Sequence, residues 1–312
     1  MRRTAPFWLT VVICLACACS LAPAVLADEP ESLTLTPPNE TEVELGFLYS
    51  HFSKNRLVVN GYSFYDVIII GRLQVDEVRR EIIIPSVTLR YGLSPKVNVE
   101  AMIPLRYRID NTLKYGSQQG QMGLPTEETY SAVGLGDIEL ALNFDTRLGS
   151  KDGTPFITTF GVKTATGIDL YSVSNDQVPL GTGHWGARLG FATMRRLDPV
   201  VVFGGVSYFW NIARDVKGYG TVDPGDTIQY SLGIAYALSQ RFSLNARVEQ
   251  SFTGKTIKDG VGQSGSDMNA ATLYLGVSYV TQKGNALDFT VGSGLTEDSP
   301  DLTVKIGWPI KF

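Results

Sequence analysis

The chain is poor in the residues that enzymes most often recruit. Only two histidines, His51 and His184, occur in its 312 residues. No grouping of His, Cys, Asp and Glu has metal-ligand spacing, so the sequence implies no cofactor. The three cysteines, Cys14, Cys17 and Cys19, all lie near the start. That start reads Met1-Arg2-Arg3, an apolar stretch from Phe7 to Leu21, then Ala24-Val25-Leu26-Ala27 before the polar Asp28-Glu29-Pro30. These are the three parts of a secretory signal peptide, with cleavage expected after Ala27. Removal of residues 1–27 leaves an exported chain with no disulfide and no thiol nucleophile. Reading Cys17 or Cys19 as a lipid anchor would cut the apolar region short, and the usual aliphatic residue three positions before the Cys is missing.

Long hydrophobic runs are also absent. Beyond the signal, nothing approaches the roughly twenty apolar residues of a membrane-spanning helix, and mean hydropathy is near zero. A formal charge of −4 with no basic stripe argues against nucleic acid. Helical periodicity is almost missing too, which excludes helical bundles and most α/β folds.

What the chain has is two-residue alternation from about residue 42 to the end. Val97, Val99, Ala101, Ile103, Leu105 and Tyr107 alternate with Lys96, Asn98, Glu100, Met102, Arg106 and Arg108. The final stretch does the same, with Leu302, Val304, Ile306, Trp308, Ile310 and Phe312 against Thr303, Lys305, Gly307, Pro309 and Lys311. Strands of this kind have one apolar face and one polar, often charged, face. The breaks between them alternate short and long. Short ones sit at Gly92-Leu93-Ser94-Pro95, Leu197-Asp198-Pro199, Leu238-Ser239-Gln240 and Gln282-Lys283-Gly284-Asn285. Long polar ones fall near 110–132, 167–181, 213–225 and 254–266.

Loops sorted by end are the mark of an antiparallel transmembrane β-barrel, with short periplasmic turns and longer external loops. The expected architecture is therefore all-β. It has an N-terminal segment over 28–41 in the periplasm and a single barrel over 42–312, of about twelve strands. Fourteen is the alternative, if the apolar stretch Leu57 to Ile70 forms an extra hairpin; it could instead be a loop folded inward. A closed barrel pairs every backbone group in lipid and turns alternate side chains outward. The outward set carries aromatics near strand ends, namely Tyr91, Tyr107, Trp185, Tyr236, Tyr279 and Trp308, as interfacial girdles require.

The inward set defines the candidate lumen: Arg90, Glu100, Arg106, Arg108, Asp137, Glu139, Lys163, Arg188, Arg247, Glu249, Asp288 and Lys305. So many charges fit a hydrated or salt-bridged lumen and not a dry core. If opposite charges face each other they lock the lumen; if they segregate they set a transverse field in a small pore. Tyr62, Phe64 and Tyr65 are the candidate contacts for an apolar ligand. Trp308, Ile310 and the terminal Phe312 resemble the C-terminal signal that the barrel-assembly machinery reads. Lipid, that machinery and a small-molecule substrate are the expected partners.

Two other chemistries are weighed on their motifs. Gly181-Thr182-Gly183-His184-Trp185-Gly186 satisfies the dinucleotide fingerprint, yet an alternating strand follows where a helix would be required. Ser50 or Ser53 beside His51 would suit an outer-membrane lipid hydrolase, although adjacency in sequence is no triad geometry.

Several short stretches resemble the bacterial family labelled putative meta-pathway of phenol degradation. They are Gly134-Leu135-Gly136-Asp137-Ile138-Glu139-Leu140, Lys163-Thr164-Ala165-Thr166-Gly167, Pro179-Leu180-Gly181-Thr182-Gly183, Pro224-Gly225-Asp226 and, more loosely, Asp298-Ser299-Pro300-Asp301. The resemblance covers most of the chain from about residue 80. It implies an outer-membrane barrel that moves aromatic or other apolar compounds, with no catalytic residue. A closed barrel with a structural or surface-binding role is the alternative.

Overall fold

The computed structural model describes residues 35–59, 62–64, 74–114, 117–118, 121–122, 126–146, 154–169, 171, 178–282 and 285–312. The expected signal peptide at 1–27 lies outside them. The wall is built from β1 (Thr41–Val59), β2 (Gln74–Ser94), β3 (Val97–Lys114), a divided β4 (β4a, Thr126–Leu135; β4b, Glu139–Asp145) and β5 (Phe156–Lys163). It continues through β6 (Gly186–Leu197), β7 (Val200–Asn211), β8 (Thr227–Ala237) and β9 (Phe242–Thr253). It ends with β10 (Met268–Val280), β11 (Ala286–Gly294) and β12 (Leu302–Lys311). Neighbours pair antiparallel, and β12 returns to β1 with Glu42 opposite Lys311 and His51 opposite Leu302. The sheet is closed, so no strand edge is left to template aggregation at that seam.

The barrel has twelve staves. The fourteen-strand alternative fails because β1 pairs directly with the next stave of the wall. Tyr62–Phe64 pairs with Leu57–Val59 alone, while β1 and β2 stay paired out to Val58 opposite Gln74. The side chains of Tyr62 and Phe64, and Tyr65 as a whole, lie outside what is described. The first staves are long: β2 has 21 residues, on the order of 70 Å when extended, whereas a tilted strand crosses a bilayer in roughly 9–11. They therefore continue past the lipid at the long-loop end.

Alternation sorts the side chains. Leu45, Leu89, Leu105, Leu142, Phe160, Leu232, Leu244, Leu275 and Phe289 are exposed on the outer surface. An apolar surface of this extent on one face is unstable in water and stable in hydrocarbon. The girdle aromatics Tyr91, Tyr107, Trp185, Tyr236 and Trp308 are exposed on the same face, and Tyr279 stacks on Phe242 at 4.7 Å between ring centres. At the short-turn end the start of β1 meets the end of β12: Phe312 N donates to Thr41 O at 2.9 Å, and Asn39 N donates to Gly92 O at 2.8 Å. Gly92 is required there, since a Cβ would lie 2.0 Å from the Pro37 carbonyl oxygen.

One stave is interrupted. Leu105 faces Leu135 and Met102 faces Glu139, so β4 uses one more residue than β3 between the same two rungs. This is a bulge, and such insertions re-aim side chains. Its cause is legible at Pro104, which has no N–H for the ladder. Its carbonyl still accepts from Gly136 N at 2.9 Å. The strand then bends so that Asp137 turns into the barrel, where it is 3% exposed.

Candidate functional site

Inside the wall is a cavity of about 480 Å³. Arg90, Glu100, Arg106, Asp137, Glu139, Lys163, Arg247, Asp288 and Lys305 line it. Of the remaining lumen candidates, Arg188 lies against Gly161 and over the Phe209 ring, 5.7 Å from its centre. Glu249 is buried beside Arg247 at 3.7 Å. Arg108 is held at the long-loop side by Asp110, at 2.6 Å.

The charges interleave instead of segregating. Arg90 is the centre of one cluster, at 2.5 Å from Glu44, 2.8 Å from Glu100 and 3.0 Å from Glu42. Its side chain is 11% exposed, so the four charges satisfy one another away from bulk water, which is the condition under which buried charges persist. Asp110 is shared by Arg80 and Arg108 in a second cluster. Glu42 and Glu44 were absent from the sequence-based candidates, although Glu42-Val43-Glu44-Leu45 has the same alternation as the strands used to choose them.

Described parts of the loop between β5 and β6 pack into the barrel. Leu180 is 1% exposed, seated where Gly134 leaves room; a Cβ at Gly134 would lie 2.9 Å from Leu180 Cδ1. Arg108 donates to the Pro179 carbonyl at 3.1 Å. Asp137 is the latch. Its Oδ1 accepts from Gly167 N at 3.0 Å, and its Oδ2 accepts from both the amide and the hydroxyl of Thr182 at 2.7 Å. Lys163 stands 4.0 Å from the same carboxylate and bonds the Thr182 hydroxyl. Gly167 and Gly181 touch backbone to backbone, since a Cβ on Gly167 would come 2.6 Å from Gly181 Cα. Three of the stretches quoted above as motifs, 134–140, 163–167 and 179–183, thus meet at one carboxylate. Of the dinucleotide-like glycines, Gly181 and Gly183 belong to this inward loop and Gly186 opens β6, and the Thr182 amide is already taken by Asp137.

The other motif aspartates are caps as well. Asp226 accepts from Asn211 N at 3.0 Å and from the Tyr208 hydroxyl at 2.8 Å. Asp298 accepts from Asn269 N and Asp301 from Ser53 N, each at 2.7 Å. Each ties off a backbone donor where a strand leaves its ladder, which an uncapped end would leave unsatisfied. Gly225 must be glycine, because a Cβ there would lie 1.9 Å from the Gly254 oxygen. Asn211, held by this cap, reaches His184 Nε2 at 3.1 Å, and His184 in turn lies 3.4 Å from Lys163 Nζ.

Burial and the neighbouring Lys163 ammonium push the His184 imidazole below its usual range, against smaller opposing effects of Asn211, Thr182 and Asp137. A histidine whose folded value is depressed contributes stability above the unfolded value, about 6.5, and loses it as pH falls below that. The inward loop is therefore expected to loosen between pH 7 and pH 5. Conductance recorded across that range should rise in the native protein and stay flat in His184→Gln. A rise of equal size in both would remove His184 as the cause.

The hydrolase geometry is not formed. His51 pairs with Glu81 at 3.7 Å on the outer surface, while Ser50, the next residue along the strand, is buried on the inner one. The Ser53 amide is bound to Asp301. Among the described residues no group of three His, Cys, Asp or Glu side chains could hold a metal ion.

Residues 36–312 match the protein family described as Putative MetA-pathway of phenol degradation. Among solved structures, the fold is similar to the COG4313 outer membrane channel from Pseudomonas putida F1. That similarity has 15% identity and a TM-score of 0.66, covering 92% of this chain and all of that one. The Ralstonia pickettii toluene transporter TbuX aligns at 12% identity and TM-score 0.44, over 93% of this chain and 92% of that one. The Pseudomonas putida toluene transporter TodX aligns at 12% and 0.44, over 88% and 89%.

Proposed function

The chain belongs to the Putative MetA-pathway of phenol degradation family, and on that footing we propose an outer-membrane channel for passive diffusion of small molecules, including aromatic or other apolar compounds. The observation that carries this reading is a charge-lined cavity of about 480 Å³ inside a closed barrel whose outer face is apolar. Lipid covers that outer face, and the short-turn end with both termini lies in the periplasm, as is usual for such barrels. Trp308, Ile310 and the exposed Phe312 would present the last strand to the barrel-assembly machinery.

Reconstitution in a planar bilayer tests the channel. Steady current that simple phenols modify is the expected result, and silence under all conditions would remove diffusion of ions through the lumen. Neutralising Arg106, Arg108 and Arg247 together is expected to shift the reversal potential in a salt gradient toward cation preference. Loss of thermal stability with no change in selectivity would favour a closed barrel of structural or surface-binding role.

A second route has an observation of its own. Among the described residues no ladder joins β4a to β5 or β6, and Val133, Ile168 and Trp185 are exposed beside this break. Apolar compounds could leave the lumen sideways into lipid there. Phenol entry into vesicles without matching ionic current would mark that route.

A further inference from the structure

We propose that the lumen holds a binding site for the carboxylate of a small organic anion, formed by Arg247, Tyr274 and Lys305 on adjoining staves. The proposal rests on the channel reading and names a substrate class for it.

The ladder creates the site. Arg247 on β9 is the rung partner of Tyr274 on β10, and Tyr274 is the rung partner of Gly292 on β11. Gly292 has no side chain to stand in the way. A Cβ there would lie 2.5 Å from Tyr274 Cε1, so the ring lies across β11 toward β12, where Lys305 stands. Arg247 Cζ and Lys305 Nζ are each 4.8 Å from the centre of this one ring. Two cations drawn to a single aromatic ring form a positive wall, each stabilised by the ring but repelled by the other.

Arg247 differs from Arg90 in how it is satisfied. Three carboxylates take up Arg90 within 3.0 Å. Arg247 is 6% exposed, and its ion pair with Glu249, made through Nη2, is 3.7 Å long. Its Nε is buried with no hydrogen-bond partner. A buried donor left in that state calls for an acceptor, and a planar carboxylate is the acceptor that a guanidinium fork fits. Asp288 faces the same cavity, and with Glu249 it limits the charge the wall can take, which favours a monoanion. The body of the ligand meets Phe203 from β7 and Ile84 from β2, both lining the cavity. A volume of about 480 Å³ falls within the roughly 300–1,000 Å³ of small-molecule sites.

Calorimetry on the full-length mature protein in detergent, with benzoate as probe, tests the site without requiring current. Saturable benzoate binding is expected, weakened at least tenfold by Arg247→Gln and again by Lys305→Gln, with benzyl alcohol binding far more weakly. Should Arg247→Gln not fold, the native protein alone decides, because benzoate must raise its thermal midpoint and benzyl alcohol must not. Equal affinity for benzoate and benzyl alcohol, or unchanged binding in both variants, overturns the proposal. Chloride or sulfate competing at the same concentration as benzoate overturns its organic part. Benzoate binding without bilayer current would refute the channel reading and leave the site standing, and current without benzoate binding would do the reverse.

Discussion

Asp137→Ala is expected to open the lumen. The carboxylate accepts three hydrogen bonds from the inward loop and stands beside the buried Lys163 ammonium. Truncation leaves the Gly167 and Thr182 amides without their acceptor and removes the carboxylate 4.0 Å from the ammonium. Removing one partner of such a buried charged set costs on the order of 3–5 kcal/mol. Because the loop is anchored through Asp137 and the strands through their own ladders, the loss falls first on the loop. Single-channel conductance should rise several-fold, and protease should cut the loop between β5 and β6 faster than in the native protein. Asp137→Asn keeps one acceptor oxygen and should fall between the two. Native conductance and native protease resistance in Asp137→Ala would show that the loop is held by other contacts.

Arg90→Ala is expected to have the largest effect on the barrel itself. The substitution leaves Glu42, Glu44 and Glu100, all within 3.0 Å of the guanidinium, facing one another in a poorly hydrated wall. Mutual repulsion and desolvation again cost on the order of 3–5 kcal/mol, here at the β1 to β3 seam near the closing rungs. Heat-modifiability on a gel, which separates folded from unfolded barrel, should show a midpoint lowered by many degrees. Adding Glu44→Gln and Glu100→Gln to Arg90→Ala should restore much of it, because the charge no longer needs a counterion. Failure of that rescue would mean Arg90 acts by packing its stem and not by pairing.

Much of the fold was legible because its signal is local. Alternation of apolar and polar residues is a property of consecutive positions, and it gave the all-β barrel of twelve staves, although part of the break expected at 110–132 is strand. The places where the reading fell short are those where local pattern and long-range pairing part company. β5 stops at Lys163, although the alternation continues to Thr166, because Thr164 and Thr166 turn to bond the bulge at Gly136 and Ile138. β1, β2 and β3 run well past the roughly 9–11 residues that cross a bilayer because each supplies the other's ladder beyond the lipid. Tyr274 went unnoticed because aromatics in such strands are expected to face outward, and only the gap at Gly292 makes room for one within.

By itself the amino-acid sequence determined an exported, all-β chain with an apolar and a charged face on nearly every strand, and hence a closed barrel in a membrane. Strand character and facing depend on neighbours one and two positions away. Tertiary structure alone decided which charges pair, where the wall breaks and what fills the lumen. Arg90 meets carboxylates from strands separated by up to 48 positions, and Asp137 captures a loop 45 positions on. Such contacts depend on the stagger of closed strands, which no local pattern encodes.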